Sequence, residues 1–438
     1  MSLPADEAER YRRWRWQIFS ITWLAYAGFY LTRKGFSVAK VALGPGTAVG
    51  LTVPQLSAID VSYNVAYCIG MFVFGIAGDR LGTRRIIVAS MLVSAVVGAA
   101  MGFSATALAF SVLLVIQGVV QSTGWAPLTK NVGYFFARHE RGLILGLWCT
   151  NYSLGGFLAT NFAGTAGGWF GWPFAFWLPA ATLVGVWLLF VLLQRDRPED
   201  VGLPPVEEYH ERSELPAAEQ PDRGDAESPQ RDDAWQIARQ VLAEPIVWLM
   251  CAVYFCIKPV RYLFLFWMPL YAHEKLGTAM GGSALVSSVF ELGGPLGMLL
   301  GGLISDRLLS ARRVPVAVVS LVCLGTLVYF FDKLPAQAWL LSGMLLLMGA
   351  FTYAADSLVT CTSAVDFGTK RGASTAAGVI NGCGSIGQIL GAALPGLIPA
   401  SWGWQGCFSI VAAGAVAAGI IMLPQWNAVP RDATSSGY

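Results

Sequence analysis

GIAGDRLGTRR at residues 75–85 returns as GLISDRLLSARR at 302–313. Asp79 matches Asp306 and Arg80 matches Arg307, both at a spacing of 227. At a spacing of 228, Tyr26 falls on Tyr254 and Arg33 on Arg261, while ERG at 140–142 is answered by KRG at 370–372. The chain therefore reads as two copies of one unit of about 200 residues, a pattern that membrane carriers use to build a site between their halves. Each DR motif sits in a short basic loop between two apolar runs. Its glycines permit close helix approach, and its charges can form ion pairs that break and remake between halves. Asp79, Arg80, Arg84, Asp306 and Arg307 are thus candidate gating residues, the alternative being that they only fix topology and packing.

The apolar runs around those loops settle the class. Of 438 residues, 55% are hydrophobic and 13% charged, and the mean hydropathy is +0.56. Soluble domains carry about a quarter charged residues. Twelve apolar runs stand at 16–41, 56–78, 86–104, 107–134, 142–165, 172–194, 245–271, 282–304, 314–331, 337–365, 372–396 and 403–424. Most are long enough, at about 1.5 Å per residue, to cross a hydrocarbon core of roughly 30 Å. The expected fold is an all-α polytopic membrane protein. Two six-helix bundles, 1–194 and 245–438, are joined by a hydrophilic linker, 195–244, whose composition suits a solvated segment. Lysines and arginines concentrate in one set of short loops (Arg84 and Arg85, Arg138 and Arg141, Arg312 and Arg313), and only Lys40, Lys275 and Lys333 lie on the other side. That bias places both termini in the cytoplasm. The N-terminus, MSLPADEAERYRRWRW, lacks the pattern of a cleavable signal peptide. Eight scattered cysteines form no disulfide or metal spacing, and the three histidines fall in loops or near a helix end.

FYLTRKGF, residues 29–36, puts Arg33 and Lys34 inside the first span. A cation at the centre of a spanning helix costs about 2.5–3.5 kcal/mol on insertion scales. Arg33 and Arg261 carry that cost at repeat-matched positions, which suits a shared anion site. The planar guanidinium fork binds phosphate or carboxylate bidentately and keeps its charge. The competing reading pairs the arginines with the intramembrane acids Glu291 and Asp356, which could also couple protons or balance charge. Tyr26 and Tyr30 lie on the Arg33 face at i−7 and i−3, and Tyr67 on the second span could join them. Lys34 suits the cavity rim, Lys130 a funnel or an interface, and Asn151 and Asn381 either the cavity lining or helix packing.

The loop at 75–85 resembles the signature of the major facilitator superfamily. Over nearly the whole chain the sequence resembles that superfamily's organophosphate:phosphate antiporters, through ERYRRWRWQIF (9–19), WLAYAGFYLTRKGF (23–36), ERGLILGLW (140–148), RDRPEDVGLPPVEE (195–208), PVRYLFLFW (259–267) and FELGG (290–294). Hexose-phosphate sensor and uptake proteins are the most similar in these motifs. The resemblance implies that Arg33 and Arg261 are the two substrate-binding arginines. It also implies exchange of a phosphate monoester for inorganic phosphate by a rocker-switch, without cofactor or covalent chemistry. Two positions depart from the family pattern: Met71 stands where a lysine is usual, and Tyr152 where a histidine is usual. The alternatives are a membrane sugar-phosphate sensor that signals to a partner, and a proton-coupled organic-anion carrier. An enzyme is not expected, since no nucleophile–base set, metal cluster or phosphate-cradling loop is present. Expected partners are a small anion, inorganic phosphate and the lipid bilayer of a bacterial plasma membrane, with no nucleic acid, and the chain is expected to be a monomer.

Overall fold

The computed structural model describes residues 5–137, 140–206, 208–209, 239, 242–309, 312–366 and 373–427. Among them the chain is helical throughout, and fourteen α-helices make twelve spans. The first six spans are α1 (Ala5–Leu43), α2 (Val53–Leu81), α3 (Thr83–Met101), α4 (Ala107–Gln121) with α5 (Trp125–Phe135), α6 (Arg141–Trp148) with α7 (Thr150–Phe170), and α8 (Phe174–Leu193). The last six are α9 (Pro245–Leu276), α10 (Met280–Leu303), α11 (Arg313–Phe331), α12 (Ala338–Asp366), α13 (Ala373–Leu397) and α14 (Gly403–Met422).

All twelve apolar runs become spans. The largest difference at an end is at α1, which starts at Ala5 because its basic arm continues the helix beyond the apolar run. Ala, Glu and Arg favour helix there, and the arm is held down: Arg10 donates to the Val201 carbonyl at 3.1 Å and Arg15 pairs with Glu140. The fourth span breaks at Ser122–Gly124. There the Ser122 and Thr123 hydroxyls donate back to the carbonyls of Val119 and Val120, at 2.6 and 2.7 Å, and compete with the helix ladder.

Among the described residues, eight spans are long and apolar enough by composition alone to cross a membrane. The four that fall short are α1, α2, the α6–α7 span and α13. These same helices carry the inter-half contacts, where polar and small residues are shielded from lipid: α1 packs on α9 and α10, α2 on α13, and α7 on α10. Small residues also set the tightest contact within the second half. A Cβ added to Gly297 would run into the Ala350 backbone, and one on Gly349 into Phe290. Gly297→Val is therefore expected to force α10 and α12 apart, costing about 1–3 kcal/mol or more. A thermal-denaturation scan of the detergent-purified chain should show a clearly lowered midpoint, while Gly343→Ala, which meets open space, should not.

The two halves meet on the face away from the termini. Ser37 donates to the carbonyls of Leu265 and Phe266 at 3.1 and 2.8 Å, Ser57 to those of Ala392 and Ala393 at 3.2 and 3.0 Å, and Asn161 to the Ser288 hydroxyl at 2.8 Å. Lys40, read from sequence as a loop cation, is fully buried instead. It pairs with Asp60, donates to the Phe266 carbonyl at 3.0 Å and stands 3.8 Å from the Trp267 ring centre. Carboxylate, carbonyl and ring together replace the water it gives up.

On the opposite face, the first dozen residues of the expected linker are folded onto the first half. Asn131 donates to the carbonyls of Arg195 and Asp196, and Arg84 donates to those of Val191 and Gln194. Leu203 and Val206 are buried against Tyr11 and Ala137, and these apolar side chains anchor a segment that composition alone makes look solvated. Residues 210–238 of the linker lie outside the described residues.

Candidate anion-binding site

Arg33 lies deep in α1 and is only 7% exposed. Its Nε donates to Gln121 Oε1 at 2.9 Å. That amide is fixed in turn: its Nε2 donates to the Phe29 carbonyl at 3.1 Å and the Thr32 hydroxyl at 3.0 Å, and its Oε1 also accepts from Tyr63 at 3.1 Å. The guanidinium lies 4.6 Å from the ring centre of Tyr30, 5.1 Å from Tyr67 and 5.8 Å from Tyr63. Among the described residues no carboxylate pairs with it, and its Nη2 is buried without a partner.

Arg261 repeats the design in the second half. Its guanidinium stands 4.6 Å from the ring centre of Tyr353, 4.9 Å from Tyr152 and 5.8 Å from Tyr262. Tyr152 and Tyr353 stack on each other at 5.8 Å, one from each half. Here an acid is present. Asp356 accepts from Arg261 Nη1 at 3.4 Å and pairs with Lys258 Nζ at 3.1 Å. Lys258 also stands 4.4 Å from the Tyr254 ring centre. Among the described residues Arg261 Nε is buried without a partner. Pro259 lacks an N–H and so leaves the Phe255 carbonyl without its helix donor; α13 closes in there through Gly387, with no side chain to intervene.

The two cages adjoin, Tyr152 of the second lying 6.2 Å from the Trp125 ring centre beside the first. Tyr30 lies in the electrostatic field of both arginines, and Tyr262 of the second half lies in that of Tyr26, Tyr30 and Tyr63 of the first. Tyr26 closes the edge of the first cage against Trp125 and Trp148, with ring centres 5.4 and 5.6 Å away.

The remaining candidates are distributed around this centre. Lys34 pairs with Glu291 at 3.1 Å and donates to the Leu265 carbonyl at 3.4 Å, while Tyr353 donates its hydroxyl to the other Glu291 oxygen. Glu291 and Lys34 are thus a bond between halves. Asn151 is fully buried, and among the described residues neither of its amide atoms has a partner. Asn381 is half-buried, its carbonyl accepting from Ser385 at 3.0 Å. Lys130 is exposed on α5, 6.0 Å from the Tyr134 ring centre. Met71 packs half-buried on the central core. Arg84 braces the end of α8, Arg307 is exposed, and the side chains of Asp79, Arg80 and Asp306 lie outside the described residues.

Sequence reasoning missed Lys258, Gln121, Tyr63, Tyr262 and Tyr353. Lys258 was findable: in IKPVRY it stands three residues before Arg261, on the same helix face. Gln121 carries no such signal, because a glutamine in an apolar run marks only a polar contact of some kind. The buried charges of the described residues are Arg33, Lys34, Lys40, Lys258 and Arg261 against Asp60, Glu291 and Asp356. Lys34 and Lys40 each have an acid of their own, so the caged centre is left with two positive charges.

Residues 22–367, and again 283–436, match the sequence profile of the Major Facilitator Superfamily. The chain belongs to the major facilitator superfamily. This member is 28% identical over 437 residues, 98% of its own length and 94% of the other's, to a "Probable hexose phosphate transport protein" of Chlamydia pneumoniae. It is 28% identical to the "Membrane sensor protein UhpC" of Salmonella typhimurium, covering 97% of the chain and 94% of the relative. It is also 28% identical to the "Glycerol-3-phosphate transporter" of Bacillus subtilis, covering 98% of each. These relatives are those of the organophosphate:phosphate antiporter family that the motifs resemble. Among solved structures, a bacterial homologue of the lysosomal transporter Spinster, inward-facing and unoccupied, superposes with a TM-score of 0.67 at 14% identity, over 94% of this chain and 95% of that one. The nucleoside transporter NupG superposes with a TM-score of 0.69 at 14% identity, over 94% and 100%.

Proposed function

We propose that this major facilitator protein is a secondary transporter that exchanges a phosphate ester, a sugar phosphate or glycerol phosphate, for inorganic phosphate. The observation that carries the reading is the pair of tyrosine-caged arginines, each with a buried N–H group to spare, around a centre holding two uncompensated positive charges. A tetrahedral dianion satisfies both forks and both charges at once. The relatives supply the substrate class.

The chain works as a monomer of two units, 1–194 and 245–438, joined by 195–244, with both termini on the cytoplasmic side of a bacterial plasma membrane. On that orientation the contacts through Ser37, Ser57 and Asn161 close the outer side, and the site faces the cytoplasm. An anion that draws Arg33 and Arg261 together favours tilting of the halves, and the Lys34–Glu291 bond then has to break for the outer side to open. Glu291 and Asp356 balance charge in this scheme. Asp79, Arg80, Arg84, Asp306 and Arg307 steady the cytoplasmic rim. Tyr26, Tyr30, Tyr67, Tyr152, Asn151 and Asn381 line the path or its walls, and Lys34 and Lys130 lie towards its two ends.

The test is counterflow. Proteoliposomes loaded with phosphate should take up labelled phosphate, glycerol 3-phosphate or hexose 6-phosphate, and unloaded ones should not. Absence of exchange from folded protein removes the transporter reading. The sensor reading has one observation in its favour, the basic arm and linker start folded together through Arg10, Tyr11, Leu203 and Val206 into an ordered cytoplasmic surface. Binding of these esters without flux would select it.

A further inference from the structure

We infer that Lys258 and Asp356 set how many negative charges the site accepts. This rests on the phosphate-ester reading and goes beyond it by assigning the charge class of the substrate to one ion pair. The repeat makes the point. Arg33 matches Arg261 at a spacing of 228, and at that spacing the partner of Lys258 is Tyr30. The second half has thus gained a cation where the first half has a phenol. Asp356 stands between the two cations of the second half, 3.1 Å from Lys258 and 3.4 Å from Arg261. The three-residue cluster therefore carries one net positive charge, the same as Arg33 alone. The other buried cations do not enter the count, because Lys34 and Lys40 are matched by Glu291 and Asp60.

Phosphate monoesters with a neutral tail are dianions above their second ionisation, near pH 6, and match this centre. Esters that also carry a carboxylate bring a third charge, for which no cation is spare while Asp356 occupies Lys258. The pair is buried, Lys258 at 9% and Asp356 at 7% exposure. Removing Asp356 leaves Lys258 without its carboxylate, and removing Lys258 leaves Asp356 paired with Arg261; in a low-dielectric site one charge changes ligand preference strongly. Asp356→Asn raises the centre to three positive charges, Lys258→Met lowers it to one, and the double variant returns it to two.

The experiment measures displacement of labelled inorganic phosphate from the purified full chain in lipid nanodiscs at pH 7.5, using glycerol 3-phosphate and 3-phosphoglycerate as competitors. The readout is the ratio of their apparent affinities. Wild type should favour glycerol 3-phosphate. Asp356→Asn should move the ratio about tenfold or more towards 3-phosphoglycerate, Lys258→Met should move it the other way, and the double variant should return it to within about threefold of wild type. If the Asp356→Asn chain does not fold, the Lys258→Met and double variants still read the opposite arm and the return. The inference is overturned if both single variants shift the ratio in the same direction, if neither shifts it, or if the double variant stays with one of them. Each of those results leaves the phosphate-ester reading standing. Failure of wild type to bind phosphate or either ester would overturn that reading itself, and this inference with it.

Discussion

Arg33→Lys is expected to reduce phosphate counterflow by at least about a hundredfold in a chain that still folds. The substitution keeps the charge, so what it removes is geometry. Lysine has no Nε to reach Gln121, no flat face for the rings of Tyr30 and Tyr67, and no second donor nitrogen to aim a parallel N–H at a phosphoryl oxygen pair. Hydrogen bonds to charged groups contribute about 1.5–3 kcal/mol each, and loss of two corresponds to at least a hundredfold. Arg261→Lys should behave alike, although Asp356 gives the new ammonium a partner and softens the loss. Initial rates in reconstituted vesicles decide the matter. Exchange within tenfold of wild type in both variants would mean that the fork is not the binding element and that charge alone suffices.

The second large effect is expected at Glu291. Its carboxylate holds Lys34 of the first half and Tyr353 of the second, whereas its backbone carbonyl separately accepts from Ser153 at 2.7 Å. Glu291→Gln leaves the backbone contact in place and strands Lys34 at 3% exposure. Breaking one partner out of a buried pair costs about 3–5 kcal/mol, and here the whole cost falls on the state in which the two halves meet at this point. The population should therefore move towards opening on the face away from the termini. Spin labels at Ala48 and Ser401, both exposed near that face, should report longer separations in Glu291→Gln when placed in a background without reactive native cysteines. Adding Lys34→Met, which removes the stranded charge, should bring the separations back. Unchanged separations in the single variant would leave the pair a role in folding only.

Much of this was legible in the residues. The DR loops and the 228-residue spacing of Arg33 and Arg261 located both the repeat and the two cations, since charge in an apolar run is costly enough to be informative. Pairing was less legible. Glu291 and Asp356 stood out as intramembrane acids, yet which cation each meets depends on helix rotation and on contacts more than 200 residues apart in sequence, such as Lys34 with Glu291. Lys40 was misplaced because a lysine near the end of an apolar run looks the same whether it snorkels outwards or turns in to an acid twenty residues on. The cages were half visible. Tyr26, Tyr30 and Tyr67 followed from helical spacing around Arg33, but Tyr353 reaches Arg261 from another helix, and no local pattern marks it. The linker start looked polar because the few apolar residues that anchor it, Leu203 and Val206, are too sparse to register as a pattern.

The two unmatched positive charges at the centre also make the empty carrier an electrical device. Moving one elementary charge through a membrane potential changes its energy by about 2.3 kcal/mol per 100 mV. With the proposed dianion aboard, the centre would be neutral and its passage from one side to the other electrically silent. Empty, it would have to carry two charges through the field. On the proposed orientation, a potential negative inside would hold the unloaded site towards the cytoplasm, so that exchange without leak would be enforced by voltage as well as by contact.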